Sequence, residues 1–489
     1  MRSGPKDCVV DMSLATLHEQ TQREVVATIA HPSSFATLLR QGDQCGWCSH
    51  PIRLIGQSTR VDTLTGEVLG SYSTLDQPGG MLMKACGTRR ASRCRSCATL
   101  YASDARQLVR AGLLGGKGVS ETIATHPMVF ATFTAPSFGA VHSTRGGQVC
   151  HPTKGERTCR HGQSTRCYRQ HRTGDEVLGT PLCPDCYDYE GSVRWNATCP
   201  ELWRRTTIYV RRELAKTLGL SVKEFSATTR LSFTKVAEFQ RRGVVHLHAI
   251  LRLDPLDQRQ VALDVNDLMN SLRSAATKVW APIERDASER PASAKWGHQL
   301  DVRIVNVNSD NTSGTSARAV ANYLAKYATK SADELGALDH RLTGLDDLKT
   351  RDVSDHVARL VATAWRLGAS PQLRRIRYWA HSLGFGGHWL TKSRAYSVTF
   401  KKLRAERQAW QVRRHHGVNQ EHSITIGVWN WVGTGWRTLG DTWFAQERQR
   451  AALRSRIEAR DARCIEEQRE LEYWIDPPLV EHALEAVEP

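Results

Sequence analysis

The stretch EFQRRGVVHLHAIL, Glu238 to Leu251, decides the reading of this chain. From Val244 onward it alternates like a strand. His246 and His248 therefore leave one face of a sheet and Leu247 the other, because side chains alternate with period two. Thr234 to Gln240 reads as a second strand, and Arg241-Arg242-Gly243 as the tight turn between them, with glycine supplying the unusual backbone angles. If that turn takes three residues, Glu238 lies opposite His246 on the same face. Two imidazoles and a carboxylate leave open positions on a divalent ion, which suits catalysis better than a closed structural site. Either Glu238 or Gln240 supplies the third ligand, and hard phosphate oxygens as substrate point to Mg2+ or Mn2+. Taken alone, the histidine pair is explained equally well by two partly exposed strand residues that bind nothing.

A second pattern, ANYLAKYATK at 321–330, sits in a run from Ser316 to Ser331 that contains neither Gly nor Pro. Tyr323 and Tyr327 are four residues apart and share one helical face, and each is followed three residues later by a lysine, Lys326 and Lys330. A phenol with a pKa of about 10 attacks poorly at neutral pH unless cations or a metal-polarised phosphate assist it. The lysines are placed to hold a phosphate and favour phenolate. The plain alternative is an amphipathic helix with two core tyrosines.

Composition adds a partner class. The 67 Lys and Arg against 50 Asp and Glu give a net charge of +17, the electrostatic footprint of a protein that binds phosphate polymers. The 489 residues suggest two to four domains. A run of about 18 apolar residues is absent, as is a signal peptide of the usual form, so a cytoplasmic protein without membrane association is expected. Gly115-Gly116-Lys117-Gly118 lacks the flanking glycine and hydroxyl of a phosphate-binding loop.

In a reducing compartment thirteen cysteines argue for metal or free thiols over disulfides. Cys45-x2-Cys48 and Cys94-x2-Cys97 form two knuckles able to close a tetrahedral Zn2+ site, with Cys86 as a competing ligand. A second cluster holds Cys150, Cys159, His161, Cys167, His171, Cys183 and Cys186. The preferred four are Cys159, Cys167, Cys183 and Cys186, with His161 or His171 as substitutes.

Together these motifs resemble the HUH endonucleases, which pair a His-hydrophobe-His strand with a tyrosine nucleophile on a nearby helix. More narrowly the chain resembles the RepSA-type rolling-circle replication initiators of actinomycete plasmids and integrative conjugative elements. That likeness runs through CGWC (45–48), FATFTAPSFGAVHS (130–143), PLCPDCYDYEG (181–191), PELWRRT (200–206), AEFQRRGVVHLHAI (237–250), ANYLAKYATK (321–330) and WAHSLGFGGHWLTKSR (379–394). The resemblance implies that His246 and His248 are ligands of the catalytic ion. It makes Tyr327 the leading nucleophile and Tyr323 a second nucleophile or positioning group. It further implies single-stranded origin DNA as substrate, a 5′-phosphotyrosine, and a free 3′-hydroxyl for a host DNA polymerase. A transposase or relaxase with the same chemistry, and a non-catalytic zinc-dependent DNA-binding regulator, are the competing readings.

The expected architecture is α+β, an HUH-type antiparallel sheet with helices on one face, zinc-binding inserts and a basic helical C-terminal region. Residues 1–110 would carry the first zinc site, and 129–335 the endonuclease domain, interrupted by the insert at 145–190. Residues 336–489 would form a DNA-binding or accessory region. Thr63 to Val68 reads as a hairpin turn, Glu201 to Leu218 and Val261 to Trp280 as helices, and Gln299 to Asn306 as a strand. Leu214 to Ser232 imitates a helix-turn-helix but reads better as a helix running into the strand that bears Glu238.

Overall fold

Asp62 ends the first strand by accepting, through Oδ1, the backbone N–H groups of Leu64 and Thr65 at 2.8 and 3.0 Å. Gly66, at φ 75°, then turns the chain back, a conformation that costs glycine nothing. This hairpin belongs to one of two compact units of the computed structural model, formed by 17–103 with 401–464; the other is 104–400. The described residues are 17–152, 155, 157–172, 174–256, 263–285, 289–306, 315–316, 319–324, 340–349, 353–416 and 423–464.

In the first unit, α1 (Glu19–Ala30) and α2 (Pro32–Cys45) precede β1 (Ile52–Asp62). Strand β1 pairs antiparallel with β2 (Val68–Ser73), with β3 (Leu82–Lys84) and, on its other edge, with the strand Ser423–Thr434. Helix α2 ends where Gly46 adopts the left-handed conformation, φ 59°. Leu38, Met81, Met83, Trp436 and Phe444 close a small core around Cys45, Cys48, Cys94 and Cys97.

The second unit is built on a six-stranded sheet in the order β10-β9-β4-β6-β5-β11. The strands are β4 (Met128–Phe133), β5 (Thr229–Phe239), β6 (Val245–Pro255), β9 (Leu300–Asn306), β10 (Thr315–Ser316) and β11 (Leu390–Lys392), while β7 (Trp280–Pro282) and β8 (Ser293–Lys295) form a separate ribbon. Neighbours run antiparallel except for the two-residue pairing of β10 with β9. Register separates two faces. Val129, Ala131, Phe133, Leu247, Ala249, Leu251 and Ala237 lie on one face and belong to the main core. On that side pack α4 (Tyr189–Thr217), whose Trp203 ring meets Phe133 and Phe233 edge to face, and α6 (Val265–Lys278). The other face carries Thr132, Glu238, His246, His248 and Arg252 in register. The fold is mixed α and β with antiparallel sheets.

Helix α4 begins twelve residues before the expected Glu201. Pro200 lies inside α4, whose N-terminus Asp188 caps by accepting the Gly191 N–H at 2.7 Å. The segment Leu214 to Ser232 is the end of α4, the short helix α5 (Val222–Thr228) with a Ser221/Glu224 capping box, and then β5. WAHSLGFGGHWLTKSR is built into the sheet. The Ala237 N–H donates to Trp389 O at 2.8 Å, and Phe385 and Trp389 bury their rings against Phe239. These two aromatics belong to the core.

Candidate active site and metal-ligand clusters

The β5–β6 turn takes three residues: the Gln240 N–H bonds Val244 O and the Gly243 N–H bonds Gln240 O, both at 2.8 Å. Gly243 sits at φ 79°, and a Cβ there would come within 2.2 Å of Leu360 Cδ1. Glu238 consequently stands opposite His246, and His248 is flanked by Val236 and Thr132. Three groups clamp this turn. The Arg242 guanidinium donates to Pro136 O and Ala135 O at 2.8 and 3.0 Å, and to Gln240 Oε1 at 2.7 Å. Arg242 O accepts from Tyr187 Oη at 2.9 Å and from His356 Nε2 at 3.1 Å. From α4, the Asn196 amide donates to Gly243 O at 2.8 Å and Leu383 O at 3.0 Å, and accepts the Val245 N–H at 3.1 Å. Of the two alternatives for a third ligand, Gln240 is thus tied to Arg242.

Glu238 lies instead beside the histidines, with Oε2 at 2.8 Å from His248 Nε2. That separation is near the ~3 Å edge between neighbouring ligands on an octahedral ion with bonds of ~2.1 Å. Thr132 Oγ1, 3.1 Å from His248 Nδ1, fixes the other ring nitrogen. His246 Nε2 is buried without a hydrogen-bond partner, a cost that a bound cation would remove. Burial, with smaller contributions from His248 and Arg242, holds the His246 pKa well below the ordinary imidazole value. Both sets of observations fit a divalent ion held by His246, His248 and Glu238.

Tyr323 stands over this face, in the helical segment 319–324. Its ring centroid is 5.3 Å from that of His248 and 5.6 Å from that of Phe130, edge to face in both cases. Tyr327, Lys326 and Lys330 lie outside the described residues.

Among the described residues, nine cysteines and three histidines gather in three groups, the ligand atoms within each group lying within 4.8 Å of one another. The first is Cys48, Cys86, Cys94 and Cys97. The Cys86–Cys97, Cys48–Cys94 and Cys48–Cys97 sulfur separations, 3.6 to 3.7 Å, match the edge of about 3.8 Å in a tetrahedron with Zn–S bonds of ~2.3 Å. Backbone N–H groups of Ser49 and Cys86 donate to the Cys94 and Cys48 sulfurs at 3.3 Å, as they would to thiolates. Hydrogen bonds from Cys48 and Cys97 push the Cys94 thiol far below its ordinary range. Cys86 stands where Cys45 was expected; the Cys45 thiol turns to Gly42 O, 3.6 Å away. The other two groups divide what reads in sequence as one cluster. Cys159, His161, Cys183 and Cys186 form one; Cys167 lies in the other, with His142, Cys150 and His171.

Sequence reasoning missed Asn196, His356, Thr132, Phe130 and His142. Thr132, Phe130 and His142 lie within FATFTAPSFGAVHS, whose likeness to a strand beside the metal strand was a usable signal. Asn196 and His356 carried none.

The chain is 39% identical over 465 residues to a replication initiator protein of Streptomyces ambofaciens, covering 91% of this chain and 97% of that protein. No solved structure matches. Residues 34–450 match the family model described as RepSA, replication initiator protein, pSAM2. The chain belongs to the RepSA family of replication initiator proteins.

Proposed function

We propose that this replication initiator acts as an HUH endonuclease that opens rolling-circle replication by nicking single-stranded origin DNA. The observation that carries this reading is the placement of Tyr323 against His248 on the polar face that also bears His246 and Glu238. A non-catalytic DNA-binding protein would have no use for that arrangement.

His246, His248 and Glu238 would hold Mg2+ or Mn2+, which when bound offsets charge on the phosphoryl oxygens. Tyr327 would supply the nucleophile, with Tyr323 as a second nucleophile or positioning group, and Lys326 and Lys330 would steady the scissile phosphate. The phenolic oxygen attacks phosphorus in line, the bond to the 3′-oxygen breaks, and that oxygen takes up a proton. The products are a 5′-phosphotyrosine and a 3′-hydroxyl that primes a host DNA polymerase, with a host helicase opening the duplex. The phosphotyrosine conserves the energy of the diester, so the ends can be rejoined by the reverse attack. Zn2+ at Cys48, Cys86, Cys94 and Cys97, and at Cys159, His161, Cys183 and Cys186, would tie down loops that have little apolar core of their own. Described helices long and apolar enough to cross a membrane are absent.

The test is incubation of the full chain with labelled single-stranded origin DNA, with Mn2+ or with chelator, followed by denaturing electrophoresis. A covalent adduct formed only with the metal supports the reading. Specific binding without any adduct would favour a non-catalytic regulator.

A further inference from the structure

We propose that the segment between β4 and α4 holds two metal ions with interleaved ligands, the second bound by His142, Cys150, Cys167 and His171. This rests on the zinc reading of the first group in that segment and is independent of the nicking chemistry. Along the chain the ligands fall into four successive pairs: His142 and Cys150, Cys159 and His161, Cys167 and His171, Cys183 and Cys186. The first and third pairs converge at one point, the second and fourth at another. A chain closed in this way is cross-linked twice, and neither loop can open without distorting the other.

The geometry of the second group is that of a site with two sulfur and two nitrogen ligands. His142 Nδ1 and His171 Nε2 are 3.1 Å apart, Cys167 Sγ is 3.4 Å from His171 Nε2, and Cys150 Sγ is 3.8 Å from His142 Nδ1. Tetrahedral zinc with Zn–S of ~2.3 Å and Zn–N of ~2.0 Å has edges of about 3.3 Å between nitrogens and about 3.5 Å between nitrogen and sulfur. His171 Nδ1 donates to Asp175 Oδ2 at 3.0 Å, which leaves its Nε2 as a bare lone pair directed at the cluster. A carboxylate behind a ligand histidine orients the ring and raises its basicity. The Ser143 N–H donates to Cys150 Sγ at 3.3 Å, as to a thiolate. Cys150, Cys167 and His171 are buried. Hydrogen bonding alone accounts for a pair of these contacts, but not for four ligand atoms converging.

The site would also brace the catalytic hairpin. Asp175 O accepts from Arg241 Nη1 at 2.9 Å, and Gly179, at φ 81°, presses so closely on the turn that a Cβ would lie 2.4 Å from Arg241 C. One residue thereby links the cluster, through its carboxylate, to the turn that aims His246, through its carbonyl.

Native mass spectrometry of the zinc-loaded full chain tests the proposal. Cys150→Ser/Cys167→Ser and Cys183→Ser/Cys186→Ser are each expected to carry one zinc fewer than the unmodified protein. In the cobalt-substituted protein the first variant should lose only the absorption of a two-thiolate site. Unchanged zinc content in Cys150→Ser/Cys167→Ser would overturn the second site. Should that variant fail to fold, Asp175→Asn decides, because it keeps all four ligands. Release of one ion to a chelator about tenfold faster supports the site, and release at the unmodified rate overturns it.

Discussion

Asn196, in the third turn of α4, accepts the Val245 N–H at 3.1 Å, one residue before His246. The same amide donates to Gly243 O and Leu383 O, so a single buried side chain satisfies backbone groups of the hairpin and of the connector beyond it. Asn196→Ala strands three buried polar groups, each worth roughly 1–3 kcal/mol when left unmade. The expected loss is about 3 kcal/mol in urea unfolding, with a larger proportional fall in nicking as His246 loses its anchor.

The hairpin itself was legible. Alternation from Val244, a glycine at the turn and a glutamate eight residues before His246 fixed the register, because a one-residue slip would move both histidines to the apolar face. Asn196 was not legible, since an asparagine in a helix gives no sign of partners 47 to 187 residues away. The first three turns of α4, from Tyr189, lie ahead of the expected start at Glu201. The cysteine spacing announced clustering, but spacing cannot sort interleaved pairs, and it left open whether Cys45 or Cys86 joins Cys48, Cys94 and Cys97.

The two histidines should separate on stability. His246→Leu removes a ring nitrogen that has no partner in the metal-free protein and should change unfolding free energy by less than about 1 kcal/mol. His248→Leu abandons Glu238 and Thr132 and should cost more. Both are expected to lower metal-dependent cleavage by about a hundredfold or more, measured as initial rate on origin DNA.

In the first unit, zinc content should distinguish Cys86 from Cys45. Cys86→Ser is expected to lose one equivalent by elemental analysis, while Cys45→Ser retains it, because the Cys45 sulfur faces Gly42 O. The opposite result would restore the paired-knuckle ligand set.

Acid should loosen the second unit through His356. Burial lowers its pKa below the ordinary 6.5, partly opposed by its bond to Arg242 O. It lies between Arg242 O and the Tyr189 hydroxyl, 3.1 Å from each. The folded state therefore binds fewer protons than the unfolded one below pH 6.5, and the contribution of His356 is complete above that pH and lost as pH falls towards the folded pKa. Thermal midpoints measured from pH 7.5 to 5.5 should fall less steeply in His356→Gln than in the unmodified protein.

We propose that a tyrosine of the 321–330 segment attacks origin DNA, assisted by a divalent ion that His246, His248 and Glu238 would hold. Denaturing electrophoresis of the covalent adduct, comparing the unmodified chain with Tyr323→Phe, Tyr327→Phe and the double variant in Mn2+, tests it most directly. Tyr327→Phe should lose the adduct, Tyr323→Phe should retain it at reduced yield, and the double variant should form none. An undiminished adduct in the double variant would overturn the tyrosine mechanism.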